Sequence, residues 1–179
     1  GTVMRFVPPL SLIRHGPIAF DGDSAARRRP MATTLDALSQ LGIEVDVDAA
    51  KTLPFSLQGS GITPGGDITI DASASSQFVS GLLLVATVLP RGLTIRHSGK
   101  NLPSLPHIEM TMETLRQRGV AVSSPETGVW RVEPGVIEPR EVLIEPDLSN
   151  AAPFLAAPLI AGGQVSITGW PHSTTQVGA

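Results

Sequence analysis

An α/β fold built from a repeated βαβαββ unit is predicted by three observations. Two pairs of motifs recur about 75 residues apart, hydrophobic periods of two and of 3.6 alternate along the chain, and one helix is apolar nearly all round. Leu38-x-Gln40-x-Gly42 returns as Leu115-x-Gln117-x-Gly119, each copy closing an amphipathic run. Ile68-x-x-Asp71-x-Ser73 followed by Phe78 returns as Ile144-x-x-Asp147-x-Ser149 followed by Phe154. Similarity at a fixed spacing marks one supersecondary unit used several times.

The elements follow from local period and punctuation. The first copy lacks an opening strand: it reads as a helix from Thr2, a strand Ile18 to Phe20, a helix Met31 to Leu41, and strands Glu44 to Val47 and Phe55 to Gln58. The second copy is complete. Asp67 to Ile70 alternates as a strand, and Ser75 to Leu89 reads as a helix. Phe78, Val79, Leu82, Leu83, Val85, Ala86 and Leu89 cover all sides of that helix, which argues for burial and a fixed N-terminus. Leu93 to His97 alternates again. A helix from about Pro106 puts Ile108, Met112 and Leu115 on one face and stops at Gly119, a residue suited to a left-handed cap. Val120 to Val122 and Val129 to Val132 then pair as a hairpin. A third copy opens with a strand at Val142, continues with a helix near Asn150 to Ile160 and a strand Val165 to Thr168, and stops unfinished. The Pro- and Gly-rich stretch Pro134 to Pro146 reads as a linker. The expected organisation is therefore 1–140, made of units at about 1–62 and 66–134, and then 141–179.

Composition narrows the function classes. With 179 residues the chain is long enough to bury a real core. A net charge of −3 offers no chain-wide attraction to nucleic acid or anionic membrane. There is no cysteine, hence no disulfide, thiolate nucleophile or cysteine metal site, and the cytosol is the default compartment. The longest apolar stretch, Phe78 to Leu89, is shorter than the roughly 20 residues a membrane-spanning helix needs. The absence of an initial Met, the entry into a helix at residue 1 and the unfinished third unit predict a piece of a longer chain.

Ser75 and Ser76 stand where the buried helix begins, beside amides without intrahelical acceptors, and such a terminus binds phosphate readily. A plain N-cap is the commoner use of serine there. Gln77 adds a neutral amide able to hold a hydroxyl. Arg27, Arg28 and Arg29 form a basic cluster before Pro30 that is either a grip for phosphate or carboxylate or a solvated charge run. Asp21 and Asp23 read as turn formers. His15, His97 and His172 have no partner at metal-ligand spacing, so a metal site is not expected. His107 opens a helix, where the dipole favours a neutral ring. Trp130 and Trp170 read as packing residues at strand ends.

These stretches together resemble the EPSP synthase (3-phosphoshikimate 1-carboxyvinyltransferase) family, in wording close to its actinobacterial branch. Gly1-Thr2-Val3-Met4-Arg5 is similar to the family's GTxxR helix start. Phe20-Asp21-Gly22-Asp23 with Arg29-Pro30, Asp71 to Phe78, and Ser104-x-Pro106-His107-Ile108-x-Met110-Thr111 follow in the family's order. The resemblance covers the whole chain and about two fifths of such an enzyme. It implies the EPSP synthase-like inverse α/β barrel fold of two lobes, each of three βαβαββ units. The chain then resembles most of the shikimate-3-phosphate lobe and the start of the other.

The same resemblance implies roles residue by residue. Ser75, Ser76 and Ser104 would hold the phosphate of shikimate-3-phosphate, and Gln77 would contact the ring region. Arg29 would bind phosphoenolpyruvate. Gly1 and Thr2 would border the pocket where glyphosate competes, with Arg5 supporting their helix. No metal or organic cofactor is implied, and the whole enzyme would be a monomer. His107 stands where many relatives carry Tyr, and this chain has no Tyr. The family's Lys-Ser stretch and acid/base residues have no counterpart here, so the chain alone is expected to bind weakly and not turn over. Two alternatives remain. One is the UDP-N-acetylglucosamine enolpyruvyl transferase family, which carries a reactive Cys where this chain has Ser24. The other is a non-catalytic anion-binding module on the same fold.

Overall fold

The computed structural model of the protein describes residues 2–101 and 104–176. These divide into two compact units, Gly1–Glu138 and Pro139–Ala179. In the first unit the order is α1 (Thr2–Phe6), β1 (His15–Phe20), α2 (Ala32–Gln40), β2 (Glu44–Val47), β3 (Phe55–Ser60), β4 (Gly66–Ile70), α3 (Gln77–Ala86), β5 (Leu93–His97), α4 (Leu105–Arg116), β6 (Val122–Glu126) and β7 (Val129–Val132). The second stretch from β4 onward is the complete βαβαββ unit expected from the hydrophobic periods. The earlier stretch is the same unit without its opening strand.

Each unit makes its own sheet. Strands β1, β3 and β2 pair antiparallel in that order, with Ile18 opposite Leu57 and Val45 opposite the same residue. The second sheet runs β4-β5-β7-β6, parallel between β4 and β5 and antiparallel elsewhere. Pro125 lies on β6, an edge strand, where a missing amide donor leaves no broken ladder bond. The hairpin was expected from Val120, but its first strand starts at Val122 because Val120 is taken by the end of α4.

Both copies of the Leu-x-Gln-x-Gly motif close a helix in the same way. After α2 the amide of Ile43 donates to Leu38 O and that of Gly42 to Ser39 O, and after α4 the amides of Val120 and Gly119 donate to Leu115 O and Arg116 O. This paired pattern needs a left-handed residue at the turn, and Gly42 (φ 89°) and Gly119 (φ 77°) supply it. The following Ile43 and Val120 are buried, so each cap also plugs an apolar residue into the core.

Helix α3 sits at the centre of the first unit. Phe78, Val79, Leu82, Leu83, Val85 and Ala86 are all buried, and burying one such leucine is worth about 1.5–3 kcal/mol. The helix is shorter than expected at both ends, beginning at Gln77 with Ser76 as its N-cap residue. Helix α1 crosses it closely: a Cβ on Gly81 would lie 2.4 Å from Arg5 O. That approach fixes where α1, and therefore Arg5, meets the start of α3.

The second unit contains α5 (Leu148–Ala161), and no strand forms among its described residues. The strands expected at Val142 and at Val165 to Thr168 are therefore corrected to irregular chain. An isolated strand leaves its amides and carbonyls without partners, and alternation alone cannot provide them. Trp170, expected at a strand end, is 42% exposed outside any strand, whereas Trp130 on β7 is buried as a packing residue. No helix among the described residues is long and apolar enough to cross a membrane.

Candidate functional site

The start of α3 opens into a cleft of about 330 Å³ lined by Arg5, Phe6, Ser75, Ser76, Gln77, Ser80, His107, Met110 and Thr111. Three of the residues singled out in sequence, Ser75, Ser76 and Gln77, meet here with His107 from α4. The lining contains no carboxylate. An arginine, three serines, a threonine and a helix N-terminus instead present donors, which is the chemistry that holds an anion.

Arg5 organises this wall. Its Nη1 donates to Ser75 Oγ at 3.0 Å and to Gln77 Oε1 at 2.9 Å. The guanidinium also lies over the Phe78 ring, 4.8 Å from its centroid. Burial, and then the nearby positive charge of Arg29, lower the Arg5 pKa from its ordinary value. Two guanidinium groups that feel each other's repulsion create a place where an incoming anion relieves it.

The two serines have different duties. Ser75 Oγ accepts from Arg5 and, at 3.3 Å, from the Gln77 amide. Ser76 is the N-cap residue but makes no side-chain cap bond. Its hydroxyl has no partner among the described residues, and the N-cap use of serine is not what occupies it. The turn leading in is held by Ser75 N donating to Ala72 O at 3.0 Å and by Ser73 N donating to Asp71 Oδ1 at 2.9 Å.

Ser104 precedes α4, and its Oγ lies 2.6 Å from His107 Nδ1. Phosphate oxygens accept only, so Ser104 reaches one as a donor when His107 carries its proton on Nδ1 and gives it to Ser104 Oγ. Deeper in the cleft Thr111 Oγ1 donates to Ser80 Oγ at 2.8 Å, linking α4 to α3.

Outside the cleft lining, Thr2 is exposed at the start of α1, and Gly1 lies outside the described residues. Arg29 is exposed, its amide donates to Ala26 O, and its side chain makes no hydrogen bond or ion pair among the described residues, although its charge acts on Arg5 and Asp23. The basic cluster is thus divided. Arg27 binds Asp21 through two bonds of 2.8 and 2.6 Å, which leaves Arg29 uncommitted. Asp23 Oδ1 accepts from the amides of Ala25 and Ala26, so both aspartates shape the turn. Among the described residues no group of three or more His, Asp or Glu side chains is placed to hold a metal ion.

Sequence reading missed Arg5's direct reach into the cleft, the Ser80–Thr111 pair and the bridging ring of His97. All three depend on how distant segments pack: α1 on α3, α4 on α3, and the end of β5 on the turn before α3, where the Ala72 amide donates to His97 Nδ1.

The repeated βαβαββ units define the class, a partial lobe of the enolpyruvyl transferase fold. The chain belongs to the EPSP synthase family: the family model described as EPSP synthase (3-phosphoshikimate 1-carboxyvinyltransferase) matches residues 1–179. It is 53% identical over 176 residues to the 3-phosphoshikimate 1-carboxyvinyltransferase of Mycobacterium ulcerans, a match covering 98% of this chain and 40% of that protein. It is also 53% identical over 179 residues to the protein of the same name from Kocuria rhizophila, covering 99% of this chain and 40% of the relative. A solved EPSP synthase structure from Acinetobacter baumannii superposes with a TM-score of 0.69 at 23% identity, covering 87% of this chain and 34% of that one, a likeness of fold. The chain thus spans about two fifths of the length of the curated relatives it matches.

Proposed function

We propose that this chain supplies the shikimate-3-phosphate-holding surface of an enzyme that transfers the carboxyvinyl group of phosphoenolpyruvate to the 5-hydroxyl of shikimate-3-phosphate. The observation that carries this reading is the open start of α3. Ser75 and Ser76 stand there beside Arg5, in a cleft with no carboxylate. Ser75, Ser76 and Ser104 hold the phosphate, Gln77 and His107 contact the ring region, and Arg29 binds phosphoenolpyruvate near Gly1 and Thr2. Glyphosate competes for that second position. The lobe boundary falls near residue 140, with 141–179 opening the other lobe, and the whole enzyme is a cytoplasmic monomer that needs no cofactor.

In the reaction a proton is added to C3 of phosphoenolpyruvate while the 5-hydroxyl oxygen, losing its proton, bonds to C2. The tetrahedral intermediate then loses a proton from C3 and phosphate from C2, leaving the enol ether. The residues of this chain bind and orient the two anions. The groups that move protons belong to the rest of the enzyme. Positioning alone is a large part of such catalysis, because it turns a two-molecule encounter into a local one.

The test is phosphate release from shikimate-3-phosphate and phosphoenolpyruvate, measured on the 179-residue chain and on the longer protein that contains it, with intact mass recorded for each. The longer protein is expected to release phosphate and the 179-residue chain to release none. Turnover by the 179-residue chain would contradict the division of labour, and an inactive longer protein would contradict the reaction.

A further inference from the structure

We propose that His97 is a positioning residue. Its neutral imidazole, with the proton on Nε2, ties the turn that presents Ser75 and Ser76 to the segment after β5 at Asn101, and so fixes where those serines stand. The inference rests on the proposed function for the identity of the ligand and on the contacts below for the strap itself.

His97 is the last residue of β5, and its own backbone is anchored in the sheet: its amide donates to Gly128 O at 2.8 Å, and the next amide, Ser98, donates to Ile70 O at 3.0 Å. From this fixed base the ring reaches both ways. The Ala72 amide donates to Nδ1 at 3.2 Å, and Nε2 lies 3.0 Å from Asn101 O. An amide is only a donor and a carbonyl only an acceptor, so one tautomer satisfies both contacts. Ala72 is fully buried, and its carbonyl receives the Ser75 amide that closes the turn before α3. Release of Ala72 would therefore leave a buried donor unpaired and loosen the residue that fixes Ser75.

The second contact surface is Gly99. A Cβ there would lie 2.1 Å from Ser73 Oγ, 2.2 Å from Asp71 Oδ1 and 2.6 Å from His97 Cε1. The loop after β5 is thus pressed onto the Asp71–Ser73 turn with the imidazole beside it, and a side chain at Gly99 would push the Ser73 and Asp71 side chains and the ring aside. The turn that leads to Ser75 and Ser76 takes its position from this strand end.

The test compares four proteins: wild type, His97→Phe, His97→Asn and His97→Gln. Phe keeps a ring but no nitrogen, Asn keeps an acceptor at the Nδ1 position, and Gln keeps a donor toward Asn101. The measurements are long-range 1H–15N correlations of the ring, exchange of the Ala72 and Ser75 amides, and shikimate-3-phosphate affinity by chemical-shift titration. The wild-type ring is expected as the Nε2–H tautomer. In His97→Phe the Ala72 and Ser75 amides exchange faster and affinity falls about tenfold, while His97→Asn stays within about threefold of wild type and ahead of His97→Gln. A ring filling space alone would be replaced by Phe without loss, so unchanged Ala72 exchange and affinity in His97→Phe would overturn the proposal, as would an Nδ1–H tautomer. If His97→Phe fails to fold, the Asn and Gln variants decide, and equal behaviour of the two overturns it. A wild-type chain that does not bind shikimate-3-phosphate would refute the reading of the site; the tautomer and the Ala72 exchange would then still decide the strap.

Discussion

Helices α3 and α5 follow two copies of the same Ile-x-x-Asp-x-Ser motif, yet the aspartate falls at different places relative to the first turn. Before α3, Asp71 accepts from the Ser73 amide and stays outside the helix, whose N-cap residue is Ser76 with no side-chain cap bond. Before α5, Asp147 is itself the N-cap: Oδ1 accepts from the Asn150 amide at 2.9 Å and Oδ2 from Asn150 Nδ2 at 2.8 Å. A helix start carries unpaired amides and partial positive charge, so it takes either its own carboxylate or someone else's anion. The second start is filled from within the chain. At the first no carboxylate of the chain is used: Ser75 Oγ accepts from the Gln77 amide and Arg5 donates to the same hydroxyl, so this start faces its cleft with neutral and positive groups.

The sharpest way to break the comparison is to make the first start resemble the second. Ser76→Asp puts a carboxylate at the N-cap residue of α3, and shikimate-3-phosphate binding is expected to fall more than about a hundredfold, since a like charge at the site costs several kcal/mol. Titration checks it, and retained affinity would mean the anion sits elsewhere. Arg5→Ala removes both charge-assisted bonds to Ser75 and Gln77 and should weaken binding about tenfold or more. Arg5→Lys should restore it only in part, because the ammonium keeps its donors but loses the planar guanidinium that lies over the Phe78 ring. In the other direction, Asp147→Ala removes a cap worth about 1 kcal/mol, seen as faster amide exchange in the first turn of α5, with ligand affinity unchanged.

The smallest effect is in pH. Hydrogen bonds from Ser73 hold the Asp71 carboxyl below its ordinary value of 3.8. The folded value is the lower one, so the contribution of this carboxylate to the turn is fully present above the ordinary aspartate range. It is lost as pH falls through the depressed value. Acid titration of the Ser73 amide shift should therefore show its midpoint below that of an unstructured aspartate. Because the carboxyl is exposed, the stability change that accompanies it should be slight.

Much of this arrangement was legible in the residues themselves. The repeated Leu-x-Gln-x-Gly ends announced two capped helices, and the apolar surface of Phe78 to Leu89 announced that the start of α3 would be held still. Ser75, Ser76, Gln77 and His107 were picked out for separate local reasons, and the fold brings them to one cleft. What stayed hidden depends on contacts between distant segments. Arg5 reaches Ser75 and Gln77 because Gly81 lets α1 close on α3, and spacing along the chain carries no trace of that approach. The expected strands of the second unit failed for a related reason, since alternation at Val142 and Val165 marks a willing strand and does not provide its neighbour.

The measurement that bears most directly on the difference between the two helix starts is an amide-resolved titration of the 179-residue chain with shikimate-3-phosphate. Saturable shifts centred on Ser75, Ser76, Gln77 and Ser104, with none at Asp147 to Asn150, are predicted. Shifts at the start of α5, or none at the start of α3 up to the solubility of the ligand, would contradict the proposal that the start of α3 is the phosphate site.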